Sequence, residues 1–168
     1  MAYITTIADV HKNRPFKPRY ARTQATAQAV TINASDAANI FPGCVLMRTG
    51  ATEGSEGTGT TAIFTGASGT TPAGICGTFA KELEITGQKD VAMWVLGNDA
   101  IFACSAFDTE ASWTVAASSL ANGEDVFLTA DSTGALTLSA SDSVNVARLI
   151  GIEAGTASAP ATILVAGL

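Results

Sequence analysis

Charge is scarce in this chain of 168 residues: Asp, Glu, Lys and Arg make up 14% of it, against about 25% in an ordinary soluble domain. Aromatic residues are scarcer still at 7%, and there is a single histidine. With so few imidazoles, the sequence lacks the usual general base of hydrolytic sites. The three cysteines, Cys44, Cys76 and Cys104, form no C-x-x-C pair and sit among small or apolar neighbours. They read as inert core thiols rather than ligands or nucleophiles, which suits synthesis in a reducing compartment. No apolar run approaches the 18 or so residues of a membrane-spanning helix; the densest is Val91–Leu96. No stretch keeps a 3.6-residue period over three turns. What fills the chain instead is Ala, Thr, Gly and Ser, which make up nearly half of it. A positive mean hydropathy of +0.29 with so little charge excludes intrinsic disorder. The length suits one domain that folds without a metal or disulfide.

The few charges are unevenly placed. Residues 1–22 carry Lys12, Arg14, Lys17, Arg19 and Arg22 against Asp9, and the other 146 residues carry four basic and fourteen acidic groups. A basic arm over residues 1–25 therefore precedes an acidic body over 26–168. The arm does not read as a secretory signal, because Tyr3, Ile4, Ile7 and Val10 precede the basic cluster rather than follow it. Pro15 and Pro18 favour extended geometry. An extended arm orders by lying on a surface, and its charge says that the surface is acidic: the chain's own body, a neighbouring copy or another protein. Lys12, Arg14, Pro15, Phe16, Lys17, Pro18, Arg19, Tyr20 and Arg22 are the candidate contact residues. Phe16 and Tyr20 could also stack on bases, but the acidic body opposes a wider footprint on nucleic acid.

The body reads as short strands separated by turns. Ala27–Ile32, Cys44–Met47, Ala62–Thr65, Gly74–Phe79, Lys81–Thr86, Val91–Leu96, Ala100–Ser105, Asp125–Thr129, Ala135–Ser139, Val144–Ile152 and Thr162–Val165 are the candidates, and Ser35 could cap a helical turn through Ile40. Residues 49–61, polar and glycine-rich, read as a mobile loop. Gly97-Asn98-Asp99 predicts a hairpin joining 91–96 to 100–105. Both of those strands are apolar on both faces, so they belong at the centre of a sheet or at a subunit interface. Asp131–Gly134 predicts a second hairpin with glycine at the positive-φ position. The expected fold is all-β: one compact β-barrel or sandwich of short antiparallel strands, with one or two short helical turns and an extended N-terminal arm.

Catalytic chemistry finds little support. His11 lies in the basic arm with no orienting partner in sight. Loop 49–61 lacks a cation for phosphate and carries Glu53 and Glu56. The carboxylate pairs Glu82/Glu84 and Asp108/Glu110 share strand faces, as solvated strands commonly do. No calcium-loop pattern occurs, and no cofactor or metal is expected. Of the two tryptophans, Trp94 reads as core, and Trp113, flanked by Ser112 and Thr114, is the better candidate for a carbohydrate-stacking surface.

One resemblance runs across residues 42–168. Pro42-Gly-Cys-Val-Leu46, Pro72-Ala-Gly-Ile75, the segment Asn122-Gly-Glu-Asp-Val-Phe-Leu-Thr-Ala-Asp-Ser-Thr-Gly-Ala-Leu-Thr137, then Ala147-Arg-Leu-Ile-Gly-Ile-Glu-Ala154 and a closing strand over 161–168 follow one another in an order that resembles the capsid decoration (cement) proteins of tailed bacteriophages. Ile152-Glu153-Ala154 departs from the family's Gly-hydrophobic-Ala, and the arm and loop 49–61 have no counterpart. The resemblance implies a non-enzymatic virion protein, assembled in the host cytoplasm, that binds the outer surface of the head. It would dock on the major capsid protein, commonly as a homotrimer, and bridge neighbouring subunits to stabilise the lattice. No nucleic-acid or membrane partner is implied. The alternative is a tail, fibre or baseplate module that recognises surface carbohydrate.

Overall fold

The computed structural model describes residues 16–21, 27–33, 39–51, 59–66, 70–77, 90–95, 100–140 and 144–168. Eleven strands and one helix follow in chain order: β1 (Phe16–Ala21), β2 (Ala27–Ile32), β3 (Val45–Ala51), β4 (Gly59–Ile63), β5 (Gly74–Cys76), β6 (Asp90–Trp94), β7 (Ala100–Cys104), α1 (Trp113–Ala121), β8 (Val126–Ala130), β9 (Leu136–Leu138), β10 (Ala147–Thr156) and β11 (Ala159–Ala166). They make two sheets. Strands β2, β4, β3, β5 and β6 close a barrel, and β1, β7, β11, β10, β8 and β9 form an open six-stranded sheet in that order. The all-β class is therefore as the sequence predicts, with barrel and packed sheet present together.

Period-two alternation joins the two. Along β3, Leu46 faces the barrel interior with Val30, Cys76, Val91 and Met93. Its neighbour Val45 points the other way, into a second core with Ile75, Phe102, Leu128, Leu149 and Ile163. Both strands β3 and β5 thus serve two cores with successive side chains. The shared wall between barrel and sheet is where the molecule's largest side chains are fully buried, Phe64, Phe102 and Trp113 among them. Each such residue contributes about 1.5–3 kcal/mol through burial. One parallel pair, β2 with β4, closes the barrel, and the hydroxyl of buried Thr61 donates to the Thr31 carbonyl at 3.0 Å beside it.

Four expectations change. The hairpin read from Gly97-Asn98-Asp99 does not form a ladder: β6 pairs with β2 and β5 in the barrel, and β7 pairs with β1 and β11 in the open sheet. Residues 96–99 lie outside the described residues; strands apolar on both faces need neighbours on both sides, and each finds them in a different sheet. Their central placement is as expected. Tract 49–61 is partly strand, since β3 reaches Ala51 and β4 begins at Gly59; residues 52–58 lie outside the described residues. The helix α1 runs nine residues where only single turns were expected. The final strands are longer than the sequence suggests, at ten and eight residues. The strand read over 81–86 and most of the turn read over 35–40 lie outside the described residues. The hairpin at Asp131–Gly134 forms between β8 and β9. There Asp131 Oδ1 accepts from Thr133 N, Thr133 Oγ1 and Ala135 N at 2.7–2.9 Å, and Gly134 takes φ +85°.

Candidate functional site

Of the arm residues singled out by sequence, Phe16, Lys17, Pro18, Arg19 and Tyr20 fall in β1, whereas Lys12, Arg14, Pro15 and Arg22 lie outside the described residues. Strand β1 runs antiparallel to β7, with Phe16 opposite Cys104, Lys17 opposite Ala103 and Pro18 opposite Phe102, and the register shifts at Arg19. This half of the arm therefore lies on the chain's own body as the outermost strand of the six-stranded sheet. Proline in a sheet stands where its missing N–H faces away from the ladder. Proline, flanking basic residues and a bulge together make an edge that resists pairing with further strands.

The six-stranded sheet also carries a projecting ribbon. Strands β10 and β11 pair along their whole length, but only Ala147–Leu149 reaches β8 and only Ile163–Ala166 reaches β7. Residues between these anchors extend beyond the sheet as two strands, with a turn at Ala157–Ser158 and Gly155 at φ +89°. Helix α1 lies against the ribbon, and the Thr114 hydroxyl donates to the Ala157 carbonyl at 3.5 Å. Exposed positions on the two are small and uncharged: Thr114, Ser118, Thr156, Ser158 and Ala161, with Val115 65% exposed. Glu153 is the one charged residue of helix and ribbon tip together. Such a surface loses little side-chain entropy and little charge hydration on being covered.

Trp113, read from sequence as the surface tryptophan, is buried at 1% exposure. Its indole Nε1 donates to the Asp108 carbonyl at 2.7 Å, and its ring meets Phe107 edge-on, centroids 5.1 Å apart. A carbohydrate-stacking role for Trp113 is thereby overturned. The flanking Ser112 and Thr114 look polar in sequence, yet on a helix they stand about 100° to either side of it. Helix α1 itself had a usable signal: an Ala-rich stretch ending in Asn122-Gly123, where Gly123 takes φ +81° just past the helix.

Asp108 is spent on structure, its carboxylate accepting from Glu110 N and from the Thr137 hydroxyl, both at 2.9 Å. The three cysteines are free and buried. Burial, and then the neighbouring Cys76, pushes the Cys44 thiol well above its ordinary value. Burial pushes Cys104 up to about 12, and its Sγ donates to the Ala106 carbonyl at 3.4 Å. Among the described residues no group of three or more His, Cys, Asp or Glu is placed to hold a metal, and no helix is long and apolar enough to cross a membrane. His11 and the Glu82/Glu84 pair lie outside the described residues.

Compared with known proteins, the chain matches the family profile described as phage cement protein over residues 2–160. No curated protein and no solved structure matches it.

Proposed function

We propose that this chain, which belongs to the phage cement protein family, docks on the outer surface of a phage head and stabilises the shell by bridging neighbouring capsid subunits. The family carries a structural role on the phage capsid. The observation behind the capsid role is the match over residues 2–160, which takes in the basic arm as well as the β-body. The physical features support it. A closed barrel backed by a sheet gives a rigid mount, while the ribbon and helix, with Glu153 as their one charge, offer a surface that is covered at low cost. The partner is the major capsid protein, the working form is a homotrimer, and contacts repeated around the lattice multiply a weak individual affinity. The role requires no catalytic turnover, cofactor or nucleic acid.

The experiment is sedimentation of purified protein with mature and immature heads from the same phage. Saturable pelleting with mature heads, and a higher melting temperature of the decorated shell, is the expected result. Protein that stays in the supernatant at micromolar concentration with mature heads overturns the proposal.

A further inference from the structure

We propose that Cys44 and Cys76 form a reversible disulfide across β3 and β5 when the protein meets a peroxide. The antiparallel register pairs Val45 with Ile75 and Leu46 with Gly74, so one step further Cys44 stands opposite Cys76. The backbone is joined there as well, with Cys76 N donating to Cys44 O at 2.9 Å and Gly43 N to Cys76 O at 2.8 Å. The Cys76 side chain is also near enough to add to the rise of the Cys44 thiol above its ordinary value. Directly opposed residues of an antiparallel pair have Cα atoms about 4.5–5.5 Å apart, inside the roughly 4.4–6.8 Å span of a disulfide. Both cysteines are free and wholly buried in the barrel core.

The third cysteine is a bystander. Cys104 belongs to the other core, between barrel and sheet, and its thiol is turned to the Ala106 carbonyl. Gly43 lies between the two sets: a Cβ placed there would come within 3.5 Å of Cys104 Sγ and 2.8 Å of Ala106 Cβ. Cys104 is close enough for Cys44 to raise its thiol, but it is Cys76 that the strand register sets opposite Cys44.

The reaction balances with peroxide as oxidant. A thiolate of the pair attacks one peroxide oxygen, the O–O bond breaks, and the departing hydroxide takes up a proton to leave as water, giving a sulfenic acid. The second thiol then attacks that sulfur, the S–O bond breaks, and another water departs. Two thiols are oxidised and one peroxide is reduced to two waters. Access comes from local opening. β5 is only three residues long and holds two register pairs with β3 and two with β6, so a short local opening is enough to expose it. Burial keeps the Cys44 thiol protonated and makes the step slow. The bridge would close the chain between 44 and 76, which includes β4, and so restrict the unfolded state. This inference is independent of where the protein docks.

The test treats the intact chain with hydrogen peroxide for hours, then alkylates free thiols in denaturant and maps them by mass spectrometry. The expected result is a peptide pair linked through Cys44 and Cys76, with Cys104 alkylated. The melting temperature rises by several degrees and returns on reduction. Cys76→Ala treated in the same way shows neither the link nor the rise. Because slow opening could hide the reaction, a parallel sample is oxidised in urea just below the unfolding transition. Three alkylatable thiols in both samples, or a link through Cys104, overturns the proposal.

Discussion

Trp113 fastens the loop before α1 through two contacts that substitution can separate. Trp113→Phe keeps a ring against Phe107 but leaves the Asp108 carbonyl without its indole donor. The expected loss is about 1–3 kcal/mol, the cost of an unsatisfied buried acceptor, read from urea unfolding. Cys104 makes a second residue-scale prediction, about pH. Its thiol rises in the folded protein from an ordinary 9.0 to about 12, so the unfolded chain releases this proton first. The stability from the protonated thiol is complete below pH 9 and is lost as pH climbs toward 12, at up to about 1.4 kcal/mol per unit. Cys104→Ala should flatten that alkaline decline in a series of melts between these values.

Among the elements, β1 and α1 separate what sequence patterns convey from what they omit. The composition of the arm shows that residues 16–21 are extended and basic, and the structure finds a strand there. It does not show which strand receives them, because one-sided pairing leaves no periodic mark on a six-residue segment with proline in it. The 91–105 reversal fails for a related reason. A turn signal is local, whereas the partners of β6 and β7 lie tens of residues away. Helix α1 hid behind the demand for three turns of periodicity, although its Asn-Gly stop was visible. The contact ribbon was invisible, since its two strands differ from buried ones only in small exposed residues. Deleting residues 1–22 should remove all of β1 and uncover the edge of β7. We expect a loss of about 2 kcal/mol or more, a fall of several degrees in Tm, and self-association by light scattering as the bared edge seeks a partner. Charge reversal at Lys17 and Arg19 keeps the strand and should do less harm.

At the scale of the molecule, a closed barrel and an open sheet share one wall, and the larger core between them needs Val45, Phe64 and Ile75 from the barrel side as well as the sheet. Unfolding should accordingly be a single transition by every probe. A protein with so little charge, a protected sheet edge and a ribbon that carries only Glu153 is suited to association through one face. Light scattering of the free chain at micromolar concentration should report a trimer, or a monomer that becomes trimeric on heads; monomers in both settings would refute the homotrimer. The ladder through β7 also sets a tempo. Phe16 meets Cys104, and Cys104 meets Ile163, so the central strand waits for partners from both extremes of the chain. Closing such long loops before any contact rewards them makes folding slow, of the order of milliseconds to seconds. A ribosome must release nearly the whole polypeptide before the sheet can assemble. Until then the alanine- and threonine-rich strands stay exposed, and the rate at which finished copies accumulate depends on chain completion as much as on synthesis.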